Sequence, residues 1–166
     1  DMFVTFKEDQ GSLTVGANNN TNKQLGPWQG FFDANIENVF GNNSHINIAG
    51  AHSFIDKLTQ FVSGAYKHPL TDDGLMVVFR GQMSQTNPGR DLAILKLRNT
   101  FKSVSLGLTY PLILGRHSRL DSGITLTASE NKSNYRATSK KRREDTRVIS
   151  GYLTYDFADR FGGVNV

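Results

Sequence analysis

The sequence predicts an all-β fold built from antiparallel, up-and-down strands, about eight in number. Apolar and polar residues alternate in many short segments, which is the period of a strand whose side chains point to opposite faces. Glycine is abundant, with 16 residues, and turn-forming residues separate the segments. None of the 4 prolines falls at the centre of a segment, where proline would remove a hydrogen bond of the ladder. We therefore expect one antiparallel sheet with frequent hairpins.

The predicted strands are each bounded by Gly, Pro, Asn, Asp or Ser residues. They cover residues 11–19, 28–38, 45–53, 58–68, 75–85, 100–112, 119–130 and 145–157. A further alternating segment, residues 2–8, precedes the first of them. The alternation is clearest near the middle of the chain, where one face is predicted to carry Val104, Leu106, Leu108, Tyr110 and Leu112. Residues 91–98 could form two helical turns or lengthen a strand, and the sequence leaves both open.

The predicted connections alternate between short and long. Three tight turns are rich in Asn, Asp and Gly, which favour hairpins, and they cover residues 40–44, 70–74 and 114–118. Longer connections cover residues 20–27, 86–99 and 131–144, whereas residues 54–57 form a short exception. Tight turns at one end of the strands and long loops at the other are typical of outer-membrane barrels.

The alternating faces fit two settings, and the pattern alone leaves both open. In a soluble sheet the apolar face would bury in a core, whereas in a membrane barrel it would contact lipid and the polar face would line a wet lumen. The candidate lumen-facing residues share the polar parity of their strands: Asp33, Asn35, Glu37, Arg80 and Gln82. The alternative is that these side chains form the solvated face of a soluble sheet.

Composition excludes several classes of protein. The chain has 166 residues and no cysteine, so disulfides, thiol chemistry and cysteine-ligated zinc are unavailable. No apolar run approaches the ~18 residues of a spanning helix, which excludes a helical membrane protein. No signal peptide is recognisable, and we expect the chain to be a mature fragment of a longer protein.

No motif of catalysis is apparent. The 4 histidines fall at strand ends and turns, and His45 and His52 lie on opposite faces of one predicted strand by parity, so they cannot share a metal there. No Gly-x-Ser-x-Gly elbow and no phosphate-binding glycine loop is present. We therefore expect no enzymatic activity, no catalytic residue, no metal site and no cofactor.

The positive charge is concentrated late in the chain, in the run Lys140, Lys141, Arg142 and Arg143. Such a run could contact nucleic acid or acidic lipid headgroups. Because Glu144 and Asp145 follow at once and no aromatic residues are interleaved, we interpret it as a solvated surface loop within residues 136–147 and expect no nucleic-acid partner.

Several segments, taken in order, resemble a known family. They are residues 2–9 (MFVTFKED), 11–19 (GSLTVGANN), 38–48 (NVFGNNSHINI), 69–74 (PLTDDG), 105–112 (SLGLTYPL), 118–120 (SRL), 145–153 (DTRVISGYL) and 159–163 (DRFGG). This ordered set resembles the outer-membrane transporters of bacterial two-partner secretion, the haemolysin secretion/activation family of the Omp85 superfamily. The resemblance extends over nearly the whole chain.

The resemblance implies that this chain is the N-terminal half of a 16-stranded outer-membrane β-barrel. Residues 1–10 would end a periplasmic POTRA-like segment, and residues 11–166 would form the transmembrane portion. The implied function is translocation of a secreted exoprotein across the bacterial outer membrane, with the exoprotein and outer-membrane lipid as partners. The family's Arg-Gly loop motif and complete POTRA domains are absent, so no functional residue carries over. The alternatives are another outer-membrane barrel (an assembly factor or a porin) and a soluble antiparallel β-sheet binding domain.

Overall fold

The described part of the chain forms one antiparallel sheet of ten strands. A computed structural model describes residues 2–8, 11–19, 27–40, 43–54, 59–88, 97–135, 140–159 and 162–165. The strands are β1 (Met2–Glu8), β2 (Gly11–Asn18), β3 (Gln29–Glu37), β4 (His45–Ser53), β5 (Thr59–Pro69), β6 (Met76–Thr86), β7 (Leu97–Leu114), β8 (Ser118–Tyr135), β9 (Lys140–Asp159) and β10 (Gly162–Asn165). Each strand pairs with the next along the chain. The all-β, up-and-down prediction is confirmed, with ten strands instead of about eight.

The sheet is open within the described residues. The strand order runs from β1 to β10 without a return, so these two strands each have a neighbour on one side only. β1 pairs with β2 along its whole length, from Met2 opposite Ala17 to Glu8 opposite Gly11. Residues 2–8 therefore belong to the same sheet as the rest, and their membership of a POTRA-like domain stays a prediction.

The three predicted tight turns all lie at one end of the sheet. The turn after β3 is closed by the Asn38 amide, which donates to the Ser44 carbonyl at 2.5 Å. Asn38 and Asn43 adopt positive φ values of 59° and 55°, a conformation that asparagine tolerates better than most residues. The turn after β7 is closed by a 2.8 Å bond from the Gly115 amide to the Ser118 carbonyl.

The turn after β5 depends on a glycine. The Leu70 amide donates to the Leu75 carbonyl at 2.7 Å, and the Leu75 amide donates to the Thr71 hydroxyl at 3.3 Å. Gly74 has a φ of 92°, which glycine adopts at little cost because it lacks a Cβ. A Cβ at Gly74 would also lie 2.9 Å from Cγ of Pro111.

We expect Gly74→Ala to lower the free energy of unfolding by about 1–2 kcal/mol, because a Cβ is strained in the left-handed backbone conformation and would crowd Pro111. Urea titration would measure the change. Asp73→Ala, at the exposed neighbouring position, is the matched control and should have little effect. Equal stability of the two variants would contradict this account of the turn.

Strands β7, β8 and β9 extend further than predicted at the long-connection end. Tyr135 pairs with Lys140, and the ladder continues through Ser133 opposite Arg142. The predicted surface loop was therefore wrong for Lys140, Lys141, Arg142 and Arg143, which lie in β9. The apolar alternation stops before this region, whereas the backbone pairing continues. Lys132 lies directly opposite Arg143, and the diagonal ion pair between Arg143 and Glu130 offsets these like charges. Residues 136–139 and 91–96 lie outside the described residues, and Leu97 and Arg98 extend β7.

A register shift interrupts the alternation near the end of β7. Pro111 pairs with Asp121, but Ile113 pairs with Leu120, so Leu112 is an extra residue between them. Such a bulge moves the following side chains to the other parity. Ile113, opposite Leu120, therefore joins the apolar face, whereas the pairing assigns Leu112 to neither face and its predicted place on the face of Leu108 stays a prediction.

The described residues form no apolar core. Among the described residues, Val78 is the one hydrophobic residue that is buried, with 5% of its surface exposed. Exposed large apolar side chains occur on every strand from β1 to β9. A soluble two-layer domain normally buries one face of its sheet against a second layer. Here both faces of the described sheet remain uncovered.

Candidate pore-lining face and membrane-facing surface

The register sorts the side chains of the sheet into an apolar face and a polar face. One continuous row on the apolar face runs from strand to strand, since directly paired residues share a face. It contains Ile36, Ile46, Tyr66, Phe79, Leu106, Leu126 and Ile149. The neighbouring row on the polar face contains Asn35, Asn47, Ala65, Arg80, Ser105 and Thr127. The alternation in each strand therefore aligns across the whole sheet.

Along β7 the apolar face is more exposed than the polar face. On β7, Leu106 and Leu108 are 47% and 48% exposed. Ser105 and Thr109, which point to the polar face of the same strand, are half-buried, and Gly107 between them is buried. This order is the reverse of a soluble sheet, whose apolar face is covered and whose polar face is wet.

All five candidate lumen residues lie on the polar face. Asp33, Asn35 and Glu37 alternate along β3, and Arg80 and Gln82 alternate along β6. Asn35 and Arg80 share one row, and Asp33 and Gln82 share the next. The structure thus places them on a common surface, while their contact with a lumen stays a prediction.

Asp33 anchors a hydrogen-bonded cluster on this face. The Asn35 amide donates to one Asp33 carboxylate oxygen at 2.6 Å, and the Asn47 amide donates to the other at 3.1 Å. The Asn47 amide also donates to the Asn35 side-chain oxygen, at 2.9 Å. The predicted set omitted Asn47, although its parity in β4, between Ile46 and Ile48, would have identified it.

Opposite charges occupy different strands of the polar face. Asp33 and Glu37 belong to β3, whereas Lys67 belongs to β5 and Arg80 to β6. Strands β3 and β6 lie three spacings apart, roughly 14 Å, so these side chains form two patches instead of direct pairs. Lys67 was also missed, although its parity in β5, shared with Ser63 and Ala65, could have indicated it. The face therefore carries an acidic strip beside a basic strip.

The remaining strands contribute mainly hydroxyl groups to the polar face. Pairs such as Ser129 with Thr146 and Thr125 with Ser150 follow β8 and β9. The Tyr152 hydroxyl lies 2.9 Å from the Thr109 hydroxyl, reaching across β8 where Gly123 leaves space beneath the ring. Hydroxyl groups predominate near the middle of these strands, whereas charged residues such as Arg119, Asp121 and Arg142 lie towards their ends.

Aromatic side chains gather near the tight turns. Phe40 and Tyr66 meet edge to face with ring centroids 6.0 Å apart, and Tyr66 stacks with His68 at 5.9 Å. Tyr110 and Tyr155 lie towards the same end on the apolar face, each close to two-fifths exposed. At the opposite end Trp28 precedes β3 and is half-exposed. Aromatic residues at both ends of an apolar band are typical of membrane interfaces.

A groove of about 550 Å³ opens on the apolar face near the long connections. Phe32, Phe54, Val62 and Met83 are among the residues that line it. Its floor includes Gly50, beneath the Phe32 ring. The groove is lined mainly by apolar groups and belongs to the apolar face, so it is not part of the polar wall.

No constellation for covalent chemistry is evident within the described ranges. His45 lies on the polar face and His52 on the apolar face, which confirms the parity prediction. Among the described residues, no group of three or more His, Asp or Glu side chains could hold a metal ion. No helix in the same part of the chain is long and apolar enough to cross a membrane.

The extended ends of β8 and β9 carry a network of ion pairs. Lys132 lies 2.7 Å from one Glu130 oxygen, and Arg143 lies 2.8 Å from the other. Arg143 also pairs with Asp145 at 3.0 Å. The hydrogen bond from Lys132, assisted by the charge of Arg143, lowers the pKa of Glu130 below its usual value. On the other face of β9, Arg142 pairs with Glu144.

Comparisons with protein-family models, with curated proteins and with solved structures give no match for this chain. The fold and the two faces described above are therefore the basis for any statement about function.

Proposed function

We propose that this chain forms part of an outer-membrane β-barrel of the bacterial envelope. Its apolar face would contact lipid, and its polar face would line a passage for a secreted, unfolded exoprotein. The chain would act as a passive conduit without covalent catalysis, metal or cofactor.

The observation that carries the proposal is the reversed exposure of the two faces. Leu106, Leu126 and Ile149 are 47%, 49% and 77% exposed in one row, without a covering layer among the described residues. Exposing so continuous an apolar surface to water would be costly, at roughly 25 cal/mol for each Å². A hydrocarbon solvent removes this cost and supports the membrane setting.

The dimensions of the strands also support this setting. Strands β3 to β6 have 9 to 11 residues, which matches the ~9–11 residues that a tilted strand needs to cross a bilayer. The three tight turns share one end, as periplasmic turns do in outer-membrane barrels. Barrel walls of this kind alternate apolar and polar residues, as β7 does.

Strands β1 and β10 require partners if the sheet lies in lipid. Each has an edge without a neighbouring strand among the described residues, and unpaired backbone groups are costly in hydrocarbon. Further strands of the same protein would satisfy both edges, in agreement with a 16-stranded barrel of which this chain supplies one part. The resemblance to two-partner secretion transporters supports that strand number.

We favour a secreted exoprotein as the substrate that is transported through the pore. Hydroxyl and amide groups offer weak hydrogen bonds that many sequences can use, and the Asp33–Asn35–Asn47 cluster is one example. The resemblance in sequence supports a polypeptide cargo over a small solute. The acidic and basic strips of β3, β5 and β6 favour the runner-up, a porin, since separated charges orient small polar solutes. A soluble β-sheet domain that binds a ligand is the third candidate.

We test the passage by crosslinking in the full-length protein. Residues 1–166 contain no cysteine, so Gln82→Cys gives this part of the protein one thiol, on the polar face of β6. During secretion of an exoprotein that carries engineered cysteines, we expect a disulfide-linked species with Gln82→Cys. Met83→Cys, the adjacent residue on the apolar face, is the matched control and should give none.

Three outcomes separate the candidates. Crosslinking at both positions, or at Met83→Cys alone, would contradict the assignment of faces. Ion conductance without a crosslink at Gln82→Cys would favour a porin. A protein that stays monomeric in buffer without detergent would favour the soluble β-sheet domain.

A further inference from the structure

Basic side chains cluster where the apolar face of β7, β8 and β9 ends. We call the set the basic collar, and it comprises Arg98, Lys102, Lys132, Lys141, Arg143 and Arg147. In the same stretch the apolar face carries two carboxylates, Glu130 and Asp145. The face that is apolar at its centre is therefore strongly positive at its long-connection end.

The register places the collar directly beside the apolar surface. Arg147 shares a row with Val104 and Ala128, and the next row along the same face contains Leu106, Leu126 and Ile149. Lys102 pairs with Glu130 in the row on the other side. Long basic side chains in such a position can lay their stems on apolar surface and hold their charges at the interface.

The two carboxylates do not neutralise the collar. Glu130 contacts both Lys132 and Arg143, so each of these cations shares its acidic partner. Among the described residues, Lys102, Lys141 and Arg147 make no ion pair. An excess of positive charge is thus available to an external anion.

The opposite face of the same strands carries a smaller excess. On the polar side of β9, Arg142 is paired with Glu144, and Lys140 shares a row with Tyr135. The asymmetry between faces would be unexpected for a solvated hairpin, which meets the same water on both sides. It is expected where one face alone meets a negatively charged surface.

We propose that the basic collar binds the phosphate groups of anionic lipids in the leaflet nearest the long connections. Lipid is the occupant because the collar is continuous with the apolar face: acyl chains would cover Leu126 and Ile149 while the headgroup phosphate reaches Arg147 and Lys102. This inference rests on the membrane location in the proposed function. It adds a specific lipid chemistry to a defined site.

The energy expected from such contacts is modest for each charge and appreciable for the set. A basic side chain near an anionic membrane surface contributes about a fivefold change in association. The attraction falls as ionic strength rises, because salt screens charges beyond roughly 10 Å at ordinary concentrations. Salt dependence is therefore part of the expected result.

The test uses full-length protein reconstituted in phosphatidylcholine vesicles. Association of spin-labelled phosphatidylglycerol is compared with that of spin-labelled phosphatidylcholine in the same vesicles. We expect a preference for phosphatidylglycerol that weakens at high salt. The double variant Lys141→Gln/Arg147→Gln should lower that preference by about fivefold for each charge removed.

The matched control is Lys140→Gln/Arg142→Gln, which removes the same charge from the opposite face of β9. It should retain the preference, and an equal loss would overturn the collar as a surface-specific site. Lys102→Gln, on β7, supplies an independent variant if the double variant fails to fold. Inorganic phosphate should displace the label no better than chloride of equal ionic strength, and stronger displacement would overturn lipid as the ligand.

Failure of this inference is distinguishable from failure of the proposed function. If the protein inserts into phosphatidylcholine vesicles but shows no lipid preference, the collar is overturned and the barrel stands. If it does not insert into any vesicle and remains soluble, both are overturned.

Discussion

Replacing Leu106 with arginine in the full-length protein is expected to lower the free energy of unfolding by about 2–4 kcal/mol in a lipid bilayer. Leu106 lies on the apolar face between Phe79 and Leu126, near the centre of the apolar row. A charged side chain there would have to leave water for hydrocarbon, because no neighbouring carboxylate shares the row. Urea titration of the protein folded into vesicles would measure the loss.

Ser105→Arg supplies the matched control for this prediction. Ser105 pairs with Arg80 and Thr127 on the polar face, so an added arginine there could remain hydrated. We expect a loss well below that of Leu106→Arg. If the two substitutions cost the same, or if Ser105→Arg costs more, the polar face is the one that is shielded from water and the membrane orientation is wrong.

Labelling from outside intact cells is expected to mark one end of the sheet and not the other. Asp73→Cys and His117→Cys place single thiols in two of the tight turns, whereas Tyr135→Cys and Lys140→Cys place them at the β8–β9 hairpin. A membrane-impermeant maleimide should react at the hairpin positions and not at the turns. The contrast should be close to all or none, since the bilayer separates the two ends.

Permeabilised cells provide the control for reactivity. After permeabilisation, the Asp73→Cys and His117→Cys variants should label as fully as the hairpin variants, because both turn residues are exposed. Labelling of all four positions in intact cells would contradict a barrel wall of this topology. Labelling of the turns alone would invert the orientation.

The central strands could be predicted from the sequence because each has a clear alternation and a clear stop. Strand β4 has the predicted bounds, 45–53, and β2, β3, β5 and β6 differ only slightly from theirs. Asn38, Asn43 and Gly74 mark the intervening turns, where positive φ values restrict the choice of residue. The properties of neighbouring residues were therefore sufficient to predict these strands and turns.

The ends of the longest strands could not be predicted in the same way. Most residues between Glu130 and Arg147 are polar or charged, so no alternation of apolar and polar residues marks the strands in this part of the sequence. Pairing between Lys132 and Arg143 depends on the partner strand and on Glu130, which lies across the hairpin. The Leu112 bulge likewise depends on the register with β8.

The candidate polar wall was partly accessible from parity. Asp33, Asn35 and Glu37 were assigned to one face within β3, and Arg80 and Gln82 within β6, but parity in one strand says nothing about the next. Only the register between strands puts Asn35 and Arg80 in the same row and adds Asn47 between them.

The sequence by itself determined the type of element, the period of two and the places where the chain turns, because these depend on each residue and its near neighbours. The tertiary structure decided the register, the bulge at Leu112, the extension of β8 and β9, and the gathering of basic residues beyond the apolar row. Those features arise from pairing between strands, whose energies depend on residues distant in the chain. The difference in exposure between Leu106 and Ser105 belongs to the same group, since it depends on the arrangement of the whole sheet and not on one strand.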